Sequence, residues 1–147
     1  MNSFLYAMVE SFNKMKEEVH KVINISEYTE KEKNQLFFAV GTCLHWILDY
    51  ADRIDIEEED KGFLSAFRYA NNSLKHSIEV KSITSQQGGI TFPIHFPLVI
   101  PRRKIVWSIA DNGNKESQKK NYKKFIAGKD VIETCQRAIK ILEKYEF

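Results

Sequence analysis

Between residues 36 and 54, Leu36, Val40, Cys43, Ile47, Ala51 and Ile54 recur at three- and four-residue steps, and Phe37, Leu44 and Leu48 widen the stripe. That period places a broad hydrophobic face on one side of an α-helix, and such a face must be covered by other elements. Two further segments repeat the pattern. Leu5, Met8, Val9, Phe12, Met15, Val19, Val22 and Ile23 mark a helix over residues 4–24, which Asn2 or Ser3 could cap. Phe63, Phe67, Ala70, Leu74 and Ile78 mark a third over residues 61–77. Thr29 and Glu32 have the spacing of a capping box at the start of the second helix. The acidic run Glu57 to Asp60 reads as an exposed turn or as the first turn of the third helix, where carboxylates suit the helix dipole.

The period then changes. From Ile78 to Ile109 the chain is rich in β-branched and aromatic residues and holds Gly88-Gly89 and three prolines. Residues 80–85 and 90–95 read as a hairpin around the glycines, and residues 104–109 as a third strand. Helical character returns over residues 115–126, breaks near Gly128 and restarts at Asp130, which has capping-box spacing to Glu133. The expected fold is mainly α. It is a single domain over residues 1–147, an antiparallel four- to five-helix bundle with a small hairpin or three-strand β insertion at about residues 79–110, between the third and fourth helices.

With 43% apolar and 29% charged residues, the chain has ordinary globular proportions, which argue against disorder. The longest apolar stretch, Leu36 to Leu48, is about two-thirds of a membrane span and contains His45, so no membrane association is expected. The N-terminus has no basic region followed by an apolar run, and Cys43 and Cys135 show no CxxC spacing. Both features suit a cytoplasmic protein with reduced core thiols. No P-loop, GxGxxG or HExxH pattern is present, and no cofactor is expected.

The net charge of +2 conceals two opposed halves. Residues 1–60 carry 13 acidic and 6 basic side chains, a balance of −7, and residues 61–147 carry 7 and 16, a balance of +9. The densest basic stretch runs from Arg102 to Lys129. It holds Arg102, Arg103, Lys104, Lys115, Lys119, Lys120, Lys123, Lys124 and Lys129 against Asp111 and Glu116. Such a distribution suits an acidic partner, for which RNA or a nucleotide is the commonest candidate. The same lysines also serve as a solubilising helix face.

Chemistry-bearing residues concentrate in Arg68-Tyr69-Ala70-Asn71-Asn72-Ser73-Leu74-Lys75-His76. With Phe67 at zero and about 100° per residue, Arg68, Asn72 and His76 fall near 100°, 140° and 180°, successive i, i+4 neighbours on one ridge, with Tyr69 near 200°. His76 could move the proton of a ribose 2′-hydroxyl. Arg68 or Lys75 could offset phosphate charge, Asn72 could orient either group, and Tyr69 could stack or donate a hydrogen bond. A solvated helix face has the same composition.

This segment resembles the HEPN superfamily (higher eukaryotes and prokaryotes nucleotide-binding domain), helical bundles with an Arg-x(4–6)-His motif on a late helix. Residues 71–76 have the motif's length and end in His76, and Asn72 matches its polar position. Asn71 holds the arginine position, and Arg68 lies one turn earlier. Many members are metal-independent ribonucleases that act as dimers in toxin, phage-defence and RNA-processing systems. The resemblance therefore implies a homodimer with His76, Arg68 and Asn72 in a shared cleft. Tyr69, Lys75, Arg102, Arg103 and Lys104 are the expected nucleic-acid contacts, with Trp107 close by for stacking. The competing reading is a non-enzymatic module that binds a cognate regulatory protein. His45 and Asp49, with Asp52 one further turn on and His20 on the first helix, could suggest a bundle metal site. Without Glu-x-x-His pairs they read better as a His–Asp ion pair at the core edge, and no metal is expected.

Overall fold

A computed structural model describes residues 2–86, 99–109 and 116–145. Helix α1 (Ser3–Asn24) begins at Asn2, whose side-chain oxygen accepts the Leu5 N–H at 2.8 Å. Helix α2 (Glu30–Asp52) begins at Thr29, where the Glu32 carboxylate accepts the Thr29 N–H at 3.1 Å and the threonine hydroxyl as well. Those bonds, the hydroxyl's foremost, hold the Glu32 carboxyl below its ordinary range. Lys21 reaches Gln35 at one end of the pair and the Arg53 guanidinium lies over the Phe4 ring at the other, so α1 and α2 run antiparallel. Their facing stripes, including Met8, Met15, Leu36, Val40, Cys43, Leu44 and Ile47, are fully or almost fully buried.

Helix α3 spans Glu58–Asn72, so Glu58, Glu59 and Asp60 form its first turn. It stops five residues short of the expected end. Asn71, Asn72 and Ser73 are poor helix formers whose side chains compete for backbone bonds. Ser73 closes the helix by donating its N–H to the Tyr69 carbonyl at 3.0 Å. One further turn, α4 (Leu74–Ser77), leads straight into strand β1 (Ile78–Gln86). Gly41 on α2 lets this turn come close, since a Cβ there would lie 2.8 Å from the Leu74 side chain.

Strand β1 pairs antiparallel with β2 (Val99–Trp107), from Ile78 opposite Trp107 to Gln86 opposite Val99. The described sheet has two strands rather than three. The expected partner at residues 90–95 lies outside the described residues. Strand β2 starts earlier than expected, at Val99, and pairs with β1. Helix α5 (Glu116–Phe125) follows and packs along α3, and α6 (Val131–Glu143) follows Asp130, whose carboxylate accepts the Glu133 N–H at 3.0 Å. Gly128, with φ of 76°, makes the expected break between them and donates its N–H to the Trp107 carbonyl at 2.7 Å. The molecule is thus mainly helical, with a small antiparallel sheet inserted ahead of α5.

Trp107 ties these parts together. It is wholly buried, its indole N–H donates to the Thr134 hydroxyl at 2.6 Å, and its ring meets Phe67 edge-on at 6.2 Å. The two thiols also meet in the core, on α2 and α6. A hydrogen bond with Cys43, then burial, pushes the Cys135 thiol well above its ordinary range. Iodoacetamide is therefore expected to label neither cysteine in the native protein and both after denaturation, as read by mass spectrometry. Labelling of the folded chain at the rate of a free thiol would contradict this packing.

Candidate functional site

The segment from Arg68 to His76 does not form one ridge, because the break at Ser73 separates His76 from the helix that carries Arg68 and Asn72. Arg68 turns toward the end of α2 and pairs with Asp52, and it keeps 39% of its side chain exposed. Asn72 points the other way and donates to Gln118 on α5 at 3.4 Å. His76 is exposed on α4. Beside it, Ser77 is buried and donates its hydroxyl to the Ser73 carbonyl at 2.9 Å. The structure therefore brings Asn72 to the first turns of α5 and takes Arg68 to a different neighbour.

Tyr69 corrects an expectation. It is 4% exposed, with its ring 4.7 Å from that of Tyr122, and has no face to offer a base. A single apolar stripe misplaces it because α3 is covered on two sides. Phe63 and Phe67 face the core, and α5 covers a second flank, where Phe125 and Asn121 come close to Gly62. Tyr122 lies in this second layer. Its hydroxyl donates to the Ser108 carbonyl at 2.5 Å, and burial pushes its pKa upward.

Arg103 is a second correction. Its guanidinium donates to the carbonyls of Val22 at 3.3 Å, Ser26 at 3.1 Å and Ile25, and lies 5.9 Å from the Tyr28 ring. It caps the open carbonyl end of α1 instead of presenting charge to a ligand. Trp107, the expected stacking neighbour, is in the core. Lys104 stays exposed, directly opposite Lys81 across the sheet. The side chains of Lys75 and Arg102 lie outside the described residues.

The basic face that emerges belongs to α5. Gln118, Asn121, Tyr122 and Phe125 turn toward the rest of the protein, and the helical period sends Lys119, Lys120, Lys123 and Lys124 to the other side. Ser117, Lys119, Lys120 and Lys123 line an open hollow of about 450 Å³. The lysines were legible in the sequence as a run. So was their gathering on a helix face; the contact of α5 with the end of α3 was not.

The residues weighed as metal ligands go to separate partners: Asp49 pairs with Arg53 at 3.0 Å, Asp52 with Arg68, and His45 packs edge-on against Trp46. The expected His45–Asp49 ion pair is replaced by the arginine one turn further on. Among the described residues, Glu57, Glu59 and Asp60 are the carboxylates close enough to share a cation. A hydrogen bond shared with Glu59, and the like charges around it, raise the Glu57 carboxyl above its usual range. Asp60 in turn accepts the Tyr145 hydroxyl at 2.9 Å. No helix among the described residues is long and apolar enough to cross a membrane. In comparison with known proteins, the chain matches no family model, no curated protein and no solved structure.

Proposed function

We propose that this chain is an HEPN-like antiparallel bundle that binds RNA in the cytoplasm, as part of a defence or toxin–antitoxin type system, without a metal or other cofactor. The observation that carries this reading is the lysine side of α5, set against the end of α3 by the Asn72–Gln118 contact. Lysines four residues apart stand about 6 Å apart along a helix, close to the spacing of successive phosphates on an extended strand. In this reading His76 would take a proton from a ribose 2′-hydroxyl if the bound strand is cut. Arg68 is engaged by Asp52, so the charge on the phosphate would be met by lysines, and the reading is of a binder with at most weak ribonuclease activity.

Single-stranded RNA binding measured across salt tests this. Each phosphate contact contributes about 0.7 to the slope of log K against log salt, so replacing Lys119, Lys120 and Lys123 by glutamine is expected to lower the slope by about 2. A His76→Ala chain should bind as the parent does and lose any cleavage. Binding that responds neither to salt nor to the lysine replacements would overturn the proposal.

One observation favours the second reading, a module that docks on a regulatory protein. Phe38 is 73% exposed on α2, above a hollow it shares with Ala39, Thr42 and Ser11. A Phe38→Ser chain that keeps RNA binding but loses a co-purifying protein partner would support it.

A further inference from the structure

Strand β1 has one edge in the ladder with β2 and one edge free of it. Trp107 donates its N–H to the Lys129 carbonyl at 3.0 Å and accepts the Gly128 N–H, so its backbone polar groups point away from β1. Ile78 stands opposite Trp107, so that pair exchanges no ladder bond. The alternation of an antiparallel ladder then gives the bonds to the pairs Glu79–Val106 and Lys81–Lys104, and turns the N–H and C=O of Val80 and Ser82 outward. Among the described residues, no group outside the sheet bonds to the backbone of Val80 or Ser82. An edge that no described residue covers is a template for another strand.

We infer that two copies of this chain join edge to edge through β1, antiparallel and centred on Val80, to make a continuous four-stranded sheet. The sequence of the strand is self-complementary about that point. In this register Val80 faces Val80, and Glu79 of each copy stands directly opposite Lys81 of the other. Within one copy Lys81 lies opposite Lys104, a like-charge pair that costs stability. The second copy's Glu79 would bring an opposite charge to that repulsion. Residues 78–82 pair with their counterparts, and the end of α4 at Ser77 limits the pairing at Ile78. A groove of about 310 Å³ runs beside this edge, where Leu36, Phe37, Leu74 and Ile78 share the lining with Lys33 and Glu79. The arriving strand would cover part of it, including Phe37, which is 44% exposed. Five residues a side is less than a standard interface requires, so the dimer is concentration-dependent. This inference is independent of RNA binding, because the lysine side of α5 plays no part in it.

A charge swap tests it by sedimentation equilibrium of the full chain, with circular dichroism as a check on folding. The parent should dimerise reversibly. Glu79→Lys places lysine against lysine in the homodimer and Lys81→Glu places glutamate against glutamate, so each variant alone should dimerise about tenfold or more weakly. An equimolar mixture of the two variants restores both opposite-charge pairs and should recover the parent's dimerisation. A parent that is monomeric at every concentration would overturn the inference. So would variants that dimerise as the parent does, or a mixture that stays as weak as its components.

Discussion

A Trp107→Ala chain should be less stable than the parent by about 3–5 kcal/mol, measured by urea denaturation. The indole is wholly buried, and removing it empties a volume bounded by Phe67 on α3 and Thr134 on α6. Those walls belong to different helices and cannot collapse onto one another without shifting both. Total stability for a domain of this size is about 5–15 kcal/mol, so the loss is a large share of it. Trp107→Phe separates the two contributions. It keeps most of the apolar volume and removes the N–H, and it should cost about 1 kcal/mol, because the Thr134 hydroxyl still donates to the carbonyls of Asp130 or Val131. An alanine variant as stable as the phenylalanine variant would show that the cavity does not form.

An Arg103→Met chain should lose about 1.5–3 kcal/mol in the same measurement, and its RNA salt slope should match that of the parent. Methionine retains the apolar stem but leaves the carbonyls of Val22, Ile25 and Ser26 without their charged donor. The contrast with the lysines of α5 is the point of the experiment. Replacing the exposed Lys120 should change binding and leave stability nearly as it was. A parent-like melt together with a lowered salt slope for Arg103→Met would return this residue to the binding face.

The helices were legible because their signals are local. Asn2, Thr29 with Glu32, and Asp130 announce three helix starts, and the stripes of α1 and α2 hold most of the buried residues of those helices, with Phe37, 44% exposed, as the exception. For Tyr69 and Arg103 the structure departs from the local pattern for one reason, partners distant in the sequence. Tyr69 looked solvent-facing because no local pattern reveals that α5 covers a second side of α3. Arg103 looked like a ligand contact because nothing beside it in the chain announces the end of α1, and Asp49 looked like a histidine partner although Arg53 lies equally near on the same helix. In the candidate site the sequence shows the residue types but not how they are arranged. The break at Ser73, which scatters Arg68, Asn72 and His76, depends on the next residues being drawn into a strand, and helical periodicity cannot express that.

The placement of β2 also bears on how the chain reaches its native state. Arg103 meets Ile25 across 78 residues of sequence and Trp107 meets Thr134 across 27, whereas α1 and α2 need only a short connection to zip together. Closing the longer loops costs entropy before any contact compensates, and a large mean separation between contacting residues slows the search. The expected order is an early helical hairpin, with β2 docking late as the rate-setting event. Until that happens both strands of the small sheet stay unprotected, which makes the interval before docking the period in which chains are most prone to aggregate with one another.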